Sequence, residues 1–369
     1  MKKSYEKILR ELLSIPTAPF EEQLVIDYVK SWAEKVGVKF SLDKYSNIVL
    51  ELSQGRCGKP SAKKPGYVFH AHLDHPGFIA QSQRGKTVTA DFRGGVQLEY
   101  FKDSRMKFFT PDGEIKATVI SAKKPAKNSD QQFMTCRIKL DEKVKIQPGT
   151  IGMWDFPGIK INRDKISARA CDDLAGCAAI MCCFEDIIRD KTPIRLRAVF
   201  TRAEEVGFIG AIAACKAKTI PQNMHLVGIE TSRNMPGARL GDGVVIRVGD
   251  KMQSYDSELT SVIHKTAVEL TKSDKKFKFC RQLMIGGSTE TTAFLAHNYK
   301  AAALCLALGN YHNMSTKNKV GPEQISAFDF ECLVKLLKGI ATSKLSTEDC
   351  KKNVQKLCAD LFKKRSSYL

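Results

Sequence analysis

The stretch Ile194-Arg195-Leu196-Arg197-Ala198-Val199-Phe200-Thr201-Arg202-Ala203-Glu204-Glu205-Val206-Gly207 runs from an apolar segment into a pair of carboxylates and a glycine. Ile194 to Phe200 has the length and branching of a buried strand. A small-residue helix, Ile209 to Lys216, comes after it, and Leu226 to Ile229 reads as the next strand. The alternation continues in both directions. Upstream lies a small-residue helical run from Leu174 to Ile188. Downstream lie a helix near Ser257 to Leu270, a strand at Ala301 to Leu308 and a helix from Ala327 to Thr342. Strands separated by helices predict an α/β fold, with a mostly parallel sheet flanked by helices on both faces. Two helices precede this core, the second with Leu24, Val25, Tyr28, Val29 and Trp32 at helical spacing. Strands are expected at Asn47 to Leu52 and from Tyr67 onward, joined by a lysine-rich loop.

Between Gly77 and Asp164 the pattern changes. Short β-rich runs (Thr87 to Ala90, Ala117 to Ile120, Phe133 to Leu140) alternate with Gly, Pro and Lys turns, and no long helix is apparent. This predicts a small β domain inserted into the larger one. The expected division is therefore 1–76 with 165–342 as the α/β catalytic domain, 77–164 as a barrel-like β insert, and 343–369 as a basic amphipathic tail. In the tail, Val354, Leu357, Cys358, Leu361 and Phe362 form an apolar helical stripe, and Ser346 with Asp349 resembles a helix start. The stripe is short, which favours a helix docked on the body or on another subunit over a membrane-binding one.

Bulk properties exclude several classes. No apolar run approaches the ~18 residues of a membrane span, and Met1 to Glu6 leads into a helix-like pattern rather than a signal peptide. The twelve cysteines are scattered without a CxxC pair, which fits reduced thiols in a cytosolic protein. The net charge is +19, with lysines grouped at 59, 63 and 64, at 123, 124 and 127, and at 272, 275, 276 and 278. No nucleic-acid module or aromatic platform accompanies them, so a solvated basic surface is the favoured reading over a nucleic-acid-binding protein.

Five short segments carry metal-ligand chemistry: Phe69-His70-Ala71-His72-Leu73-Asp74, Ala170-Cys171-Asp172-Asp173, Ala203-Glu204-Glu205-Val206-Gly207, Gly228-Ile229-Glu230-Thr231 and Asn310-Tyr311-His312. Four end predicted strands or lie just beyond them, where open α/β sheets bind ligands. That edge gathers His72, Glu205, Glu230 and His312, and Asp172, just before a helix, reaches the same place. Imidazole and carboxylate together suit zinc, cobalt or manganese. Alone, each piece has a plainer reading: a structural histidine, a helix N-cap or a solvated turn.

Taken in order, the segments resemble the co-catalytic metallopeptidases, and most closely metallopeptidase family forty-two, the tetrahedral or glutamyl aminopeptidases. The carrying motifs are His72-Leu73-Asp74-His75-Pro76-Gly77-Phe78, Asp172-Asp173-Leu174-Ala175-Gly176, Glu204-Glu205-Val206-Gly207, Gly286-Gly287-Ser288-Thr289 and His312. The resemblance runs from about Tyr5 to Thr342 and includes the insert. It implies the zinc-peptidase type of sheet and two divalent metal ions per chain, zinc in first place. Asp172 would bridge the ions, His72 and Glu230 completing one position and Glu205 and His312 the other. It implies Glu204 as general base, Asp74 as the group orienting His72, and Gly287, Thr289 and Glu290 at the substrate. Three positions depart from the family: Glu230 and Glu290, where it usually carries Asp, and Leu174, where it usually carries Arg.

The function expected is a di-metal hydrolase removing N-terminal amino acids from peptides. Its partners would be a peptide substrate and copies of itself, in an oligomer built from dimers through the insert. The rival within the clan is a carboxypeptidase or an N-acyl amino acid deacylase. Those enzymes bring a cationic group from a helical lid, and the insert here reads as β. An inactive paralogue is disfavoured by the intact Glu204.

Overall fold

The computed structural model describes residues 1–55, 66–127 and 130–369. Lys59, Lys63 and Lys64 of the lysine-rich loop lie outside the described residues. The strands are β1 (Lys39–Leu42), β2 (Ile48–Gln54), β3 (Tyr67–His72), β4 (Gly77–Arg84), β5 (Thr87–Arg93), β6 (Arg105–Thr110), β7 (Gly113–Lys123), β8 (Met134–Leu140), β9 (Ile151–Trp154), β10 (Lys160–Ile161), β11 (Lys165–Ala168), β12 (Ile194–Thr201), β13 (His225–Arg233), β14 (Val244–Gly249), β15 (Phe279–Leu283), β16 (Lys300–Leu308) and β17 (Glu323–Ser326). The helices are α1 (Lys3–Leu12), α2 (Gln23–Val36), α3 (Leu174–Arg189), α4 (Ile209–Ala217), α5 (Ser257–Ser273), α6 (Glu290–Ala296), α7 (Ala327–Thr342) and α8 (Thr347–Arg365).

Eight strands form the main sheet in the order β1-β2-β12-β3-β13-β16-β14-β15. The central four, β12, β3, β13 and β16, are mutually parallel. Antiparallel pairs occur only toward the edges, at β1–β2, β2–β12 and β14–β16. The sheet is thus mixed, with its parallel part in the middle. Both faces are covered, as the continuous apolar strands require. On one face Phe69, Ala198, Phe200 and Leu304 pack under α1, α3, α5 and α7. On the other, Val68, Val199 and Leu226 meet α4 and α6 through Ala211, Ala214 and Phe294. Neighbouring residues of one strand go to opposite faces, the period-two consequence of the pleat. Helix α3 is buried almost all round, which explains its small residues: Ala175, Gly176, Ala178 and Ala179 let it approach both the sheet and α7.

The segment after β3 leaves the sheet and forms a closed barrel, β4-β5-β8-β7-β6-β9. It has its own core, in which Phe78, Phe92, Phe101 and Trp154 pack edge-on or tilted, with centroids 4.8 to 6.1 Å apart. Closure leaves none of these strands with an unpaired edge. The chain returns through β10 and β11, which join β17 in a three-stranded sheet beside α7.

Helix α8 starts at a capping box in which the Ser346 and Asp349 side chains each take the other's backbone amide. Only Cys350 is buried, and Val354, Leu357, Leu361 and Phe362 stand 42% to 65% exposed. Beyond its first turn the helix is not docked on the body. Among the described residues no helix is long and apolar enough to cross a membrane. The described cysteines are all free, and Cys358 is the one that is exposed.

Candidate active site

The carboxyl ends of β3, β12, β13 and β16 meet at one edge of the sheet, and each delivers part of the site. His72 is the last residue of β3. Its Nδ1–H donates to the Asp74 backbone carbonyl at 3.0 Å. That leaves Nε2 facing Asp172 Oδ1 at 3.3 Å, Glu230 Oε1 at 3.6 Å and Glu204 Oε2 at 4.0 Å. His312 repeats the device in the loop after β16. Its Nδ1–H donates to the carbonyl of Gly95, a residue of the barrel's β5–β6 connection, at 2.7 Å. Its Nε2 faces Glu205 Oε2 at 3.1 Å and Asp172 Oδ2 at 3.7 Å. A carbonyl partner at Nδ1 fixes the tautomer and presents the Nε2 lone pair to the carboxylates.

Asp172 therefore stands between the two histidines, one oxygen toward each. The peptide joining it to Asp173 is cis. The Asp173 carboxylate accepts the Gly176 amide at 3.2 Å as the N-cap of α3 and still lies close to His72 and Glu230. A Cβ on residue 176 would overlap that carboxylate, so the spacing of the Asp-Asp-x-x-Gly motif is set by a helix cap. The Glu204-Glu205 turn is held by Asp74, whose two carboxylate oxygens accept the amides of Glu204 and Glu205 at 2.9 and 3.0 Å. Glu22, fully buried, accepts the amide of Ala203 at 3.0 Å and the Arg202 guanidinium at 2.6 Å. Gly207 closes the turn at φ +109°, where side chains are strained.

The electrostatics arise from so many acids in one dry place. Burial, then Glu230 and Glu205, raises Asp172 to about 8. Burial also pushes Glu204 well above the ordinary carboxylate range. At His312 burial works against charge, yet Glu205 and Asp172 outweigh it and raise the imidazole to about 10. His72 moves the same way, its burial outweighed by Asp172, Asp74 and Glu230. The cluster demands positive charge. The side-chain donor atoms fall into tight sets, among them Asp172 with Glu205 and His312, and His72 with Asp173 and Glu230. Asp172 Oδ1 and Glu205 Oε1 are buried without a hydrogen-bond partner. Imidazole nitrogens whose protons a cation can replace and orphaned carboxylate oxygens are the donor set of divalent zinc, cobalt or manganese, so the residues fit such ions.

A cavity of about 310 Å³ opens beside these groups. Asp172, Glu204, Glu205, Glu230 and His312 are among its lining, together with Arg233, Arg247, Met284, Gly287 and Thr289. Gly287 and Thr289 are thus where substrate contact was expected. Glu290 is not. It is 1% exposed, accepts from His70 Nδ1 at 2.6 Å and is bonded to the Thr201 hydroxyl. Because α6 begins at Glu290, its side chain turns back under the sheet, away from the cavity. A second expectation also changes. The Asp74 carboxylate lies 3.6 Å from His72 Nδ1, and its backbone carbonyl makes the orienting bond; the carboxylate is engaged by the two glutamate amides. Leu174 is fully buried in the main core, so this departure from the family pattern concerns packing.

Three contributors escaped the sequence reading. Tyr311 stacks on the His312 ring, centroids 3.8 Å apart. Arg247 lies in β14, 2% exposed, its Nη1 donating to Ser232 Oγ at 3.0 Å and its Nε unpartnered. A lone arginine inside Val244-Val245-Ile246-Arg247-Val248 was a usable signal, since buried charge in an apolar strand needs a reason. The third is Glu323, at the start of β17, whose carboxylate accepts the His312 amide at 2.9 Å; its residue type gave no signal.

A sequence model of the M42 glutamyl aminopeptidases matches residues 56–324. The chain belongs to that family. It is a peptide-bond hydrolase, and family membership implies divalent metal ions. No curated protein matches the sequence closely enough to count. Solved structures similar to it include an aminopeptidase of the archaeon Desulfurococcus kamchatkensis (18% identity, TM-score 0.74, 95% of this chain and 97% of that one). The TET1 peptidase of Pyrococcus horikoshii, described as assembling into a tetrahedron or a large octahedral shell, shows 19% identity and a TM-score of 0.72 over 92% of this chain and 100% of its own. A TET aminopeptidase from a marine sediment archaeon of the Thaumarchaeota shows 16% identity and a TM-score of 0.76 over 95% and 98%. At these identities the likeness speaks for the fold. This M42 chain shares their fold, and the family match ends before α7 and α8.

Proposed function

We propose that this M42 protein is a cytosolic two-metal aminopeptidase, with zinc the leading metal, that removes N-terminal residues and favours acidic ones. The supporting observation is the pair of histidines whose Nδ1 atoms are committed to carbonyls while their Nε2 atoms face a shared carboxylate, with Glu204 free beside them at the cavity. Asp172 would bridge the two ions, His72 and Glu230 would hold one, and Glu205 and His312 the other. Two such cations polarise the scissile carbonyl and acidify the attacking water.

The protein's own residues do the rest. Glu204 sits at the cavity wall with its pKa raised by burial, which suits a group that must take a proton from water and return it to the leaving amine. Asp74 fixes that glutamate through its amide. The substrate's free ammonium is favoured beside the carboxylates, of which Glu230 borders the cavity. Across the cavity Arg247, held by Ser232 and with an unpartnered Nε, and Arg233, over the Tyr311 ring at 5.4 Å, offer two guanidiniums to a side-chain carboxylate. The barrel would form the contact between subunits of a dimer, the unit from which larger assemblies are built.

The test is a panel of peptides with Glu, Asp, Leu or Lys first, each with a free or acetylated amine, assayed with added zinc, cobalt or manganese. Free-amine substrates beginning with Glu or Asp should be cleaved fastest. Arg247→Met should remove most of that preference while leaving some turnover of the Leu peptide. Preference for the acetylated twins with a free carboxyl terminus would instead identify a deacylase or carboxypeptidase.

A further inference from the structure

Glu323 is a fully buried carboxylate at the start of β17 that the mechanism above does not use. Its Oε1 accepts the backbone amide of His312 at 2.9 Å. Its Oε2 accepts the amides of Cys171 at 2.7 Å and Asp172 at 3.0 Å. One side chain thus fastens the two loops that carry the bridging Asp172 and the His312 ligand, segments otherwise separated by β12 to β16. The strand beneath it is anchored too, since Glu323 pairs with Ala168 in the β11–β17 ladder that leads into the Asp172 loop.

The His312 loop needs fastening. Asn310, His312 and Asn313 all have left-handed backbones, φ +55°, +51° and +62°, conformations that residues with a Cβ keep only when their surroundings hold them. Asn310 and Asn313 are tied by their side-chain amides to the carbonyls of Pro322 and Arg169; the His312 ring is held by the Gly95 carbonyl and the Tyr311 stack, and its own backbone amide is held by Glu323. Amide-to-carboxylate bonds in a dry interior are stronger than neutral ones, and groups that orient ligands without touching the metal tune its affinity.

We propose that Glu323 is a positioning residue that sets the geometry of one metal position, the one made by His312, Glu205 and Asp172, more than that of its neighbour. This rests on the two-metal reading above. The selectivity comes from hydrogen-bond counting. Glutamine has one acceptor oxygen and one amino group in place of two acceptors. In Glu323→Gln the oxygen best serves the Oε2 place, where it satisfies two amides, and the amino group then opposes the His312 amide. Asp172 stays fixed and His312 is displaced.

The experiment is a cobalt(II) titration of metal-free protein, monitored by calorimetry and by the visible absorption of the bound ion, for wild type, Glu323→Gln, Glu323→Asp and a control. The control is Ser326→Ala, which removes the α7 cap on the same strand (Ser326 Oγ accepts from the Asp329 amide at 3.2 Å) without touching the site. Wild type and control should bind two equivalents. Glu323→Gln should bind the first as wild type does and the second at least tenfold more weakly, with the melting temperature of the metal-free protein close to the control's. Glu323→Asp, which keeps a carboxyl group but is too short to reach both loops, should show the same selective loss, and it serves as the reporter should the glutamine variant not fold. A wild-type second equivalent in the variant that folds, or equal weakening of both equivalents, overturns the proposal. A wild type that binds fewer than two equivalents overturns the two-metal reading itself.

Discussion

Glu204 illustrates how one side chain is prepared for a proton. Its amide is held by Asp74 Oδ1, its carbonyl accepts the Gly207 and Phe208 amides at 2.9 Å, and its carboxylate is left at the cavity. Glu204→Gln keeps the shape and the backbone bonds, so metal content should be unchanged while turnover falls by at least ~10²-fold. Retained turnover in a protein with normal metal content would remove Glu204 from the mechanism. At this scale the sequence was most legible where a residue sits at a strand end, as His72 does, or in the turn just beyond one, as Glu205 does. It was least legible where the deciding partner is backbone. The Gly95 carbonyl at His312 and the three amides at Glu323 leave no trace in residue type. The inward turn of Glu290 depends on where a helix begins, which its place after a Gly-Gly motif does not reveal.

Apolar content made most buried elements legible, although β14, buried along nearly its whole length, went unread. The central strands and the buried helix α3 show as runs of small or branched residues. Edge strands β1 and β15 contain no buried residue and were not anticipated from the sequence, and α6 is only seven residues long, too brief to show a period. Strand β13 carries a test of its own. His225, its first residue, packs edge-on to Tyr67 at 5.9 Å. Burial and then Lys300 lower its pKa from 6.5 to about 4. The folded form therefore holds a neutral imidazole while the unfolded chain takes a proton below about 6.5. The stability this neutral histidine allows is complete above pH 6.5 and is lost as pH falls from there toward 4. His225→Phe should flatten this part of the stability profile. Parallel melting curves for wild type and variant across pH 4 to 7 would show that His225 stays solvated.

On the scale of the molecule, the barrel has a core of its own and joins the main body at the edge that bears the site. If it mediates assembly, a chain in which residues 77–164 are replaced by a short linker should sediment as a monomer. An oligomer of unchanged size would place the subunit contact elsewhere. The same chain should also lose the Gly95 carbonyl, so His312 would be misplaced even where the sheet survives. The place of the insert, between β3 and α3, has a further consequence for the life of the polypeptide. His72 and Asp172, 3.3 Å apart when folded, are separated by the whole barrel along the chain, and the remaining groups arrive later still, with His312 and Glu323 among the last. A ribosome makes these parts in order, and long-range contacts form only after both partners exist. On the two-metal reading, until His312 has emerged the growing chain carries the carboxylates and one of the two histidines that would hold the ions, but no finished centre. On that reading the order of synthesis itself would keep the nascent chain inactive until almost all of it is made.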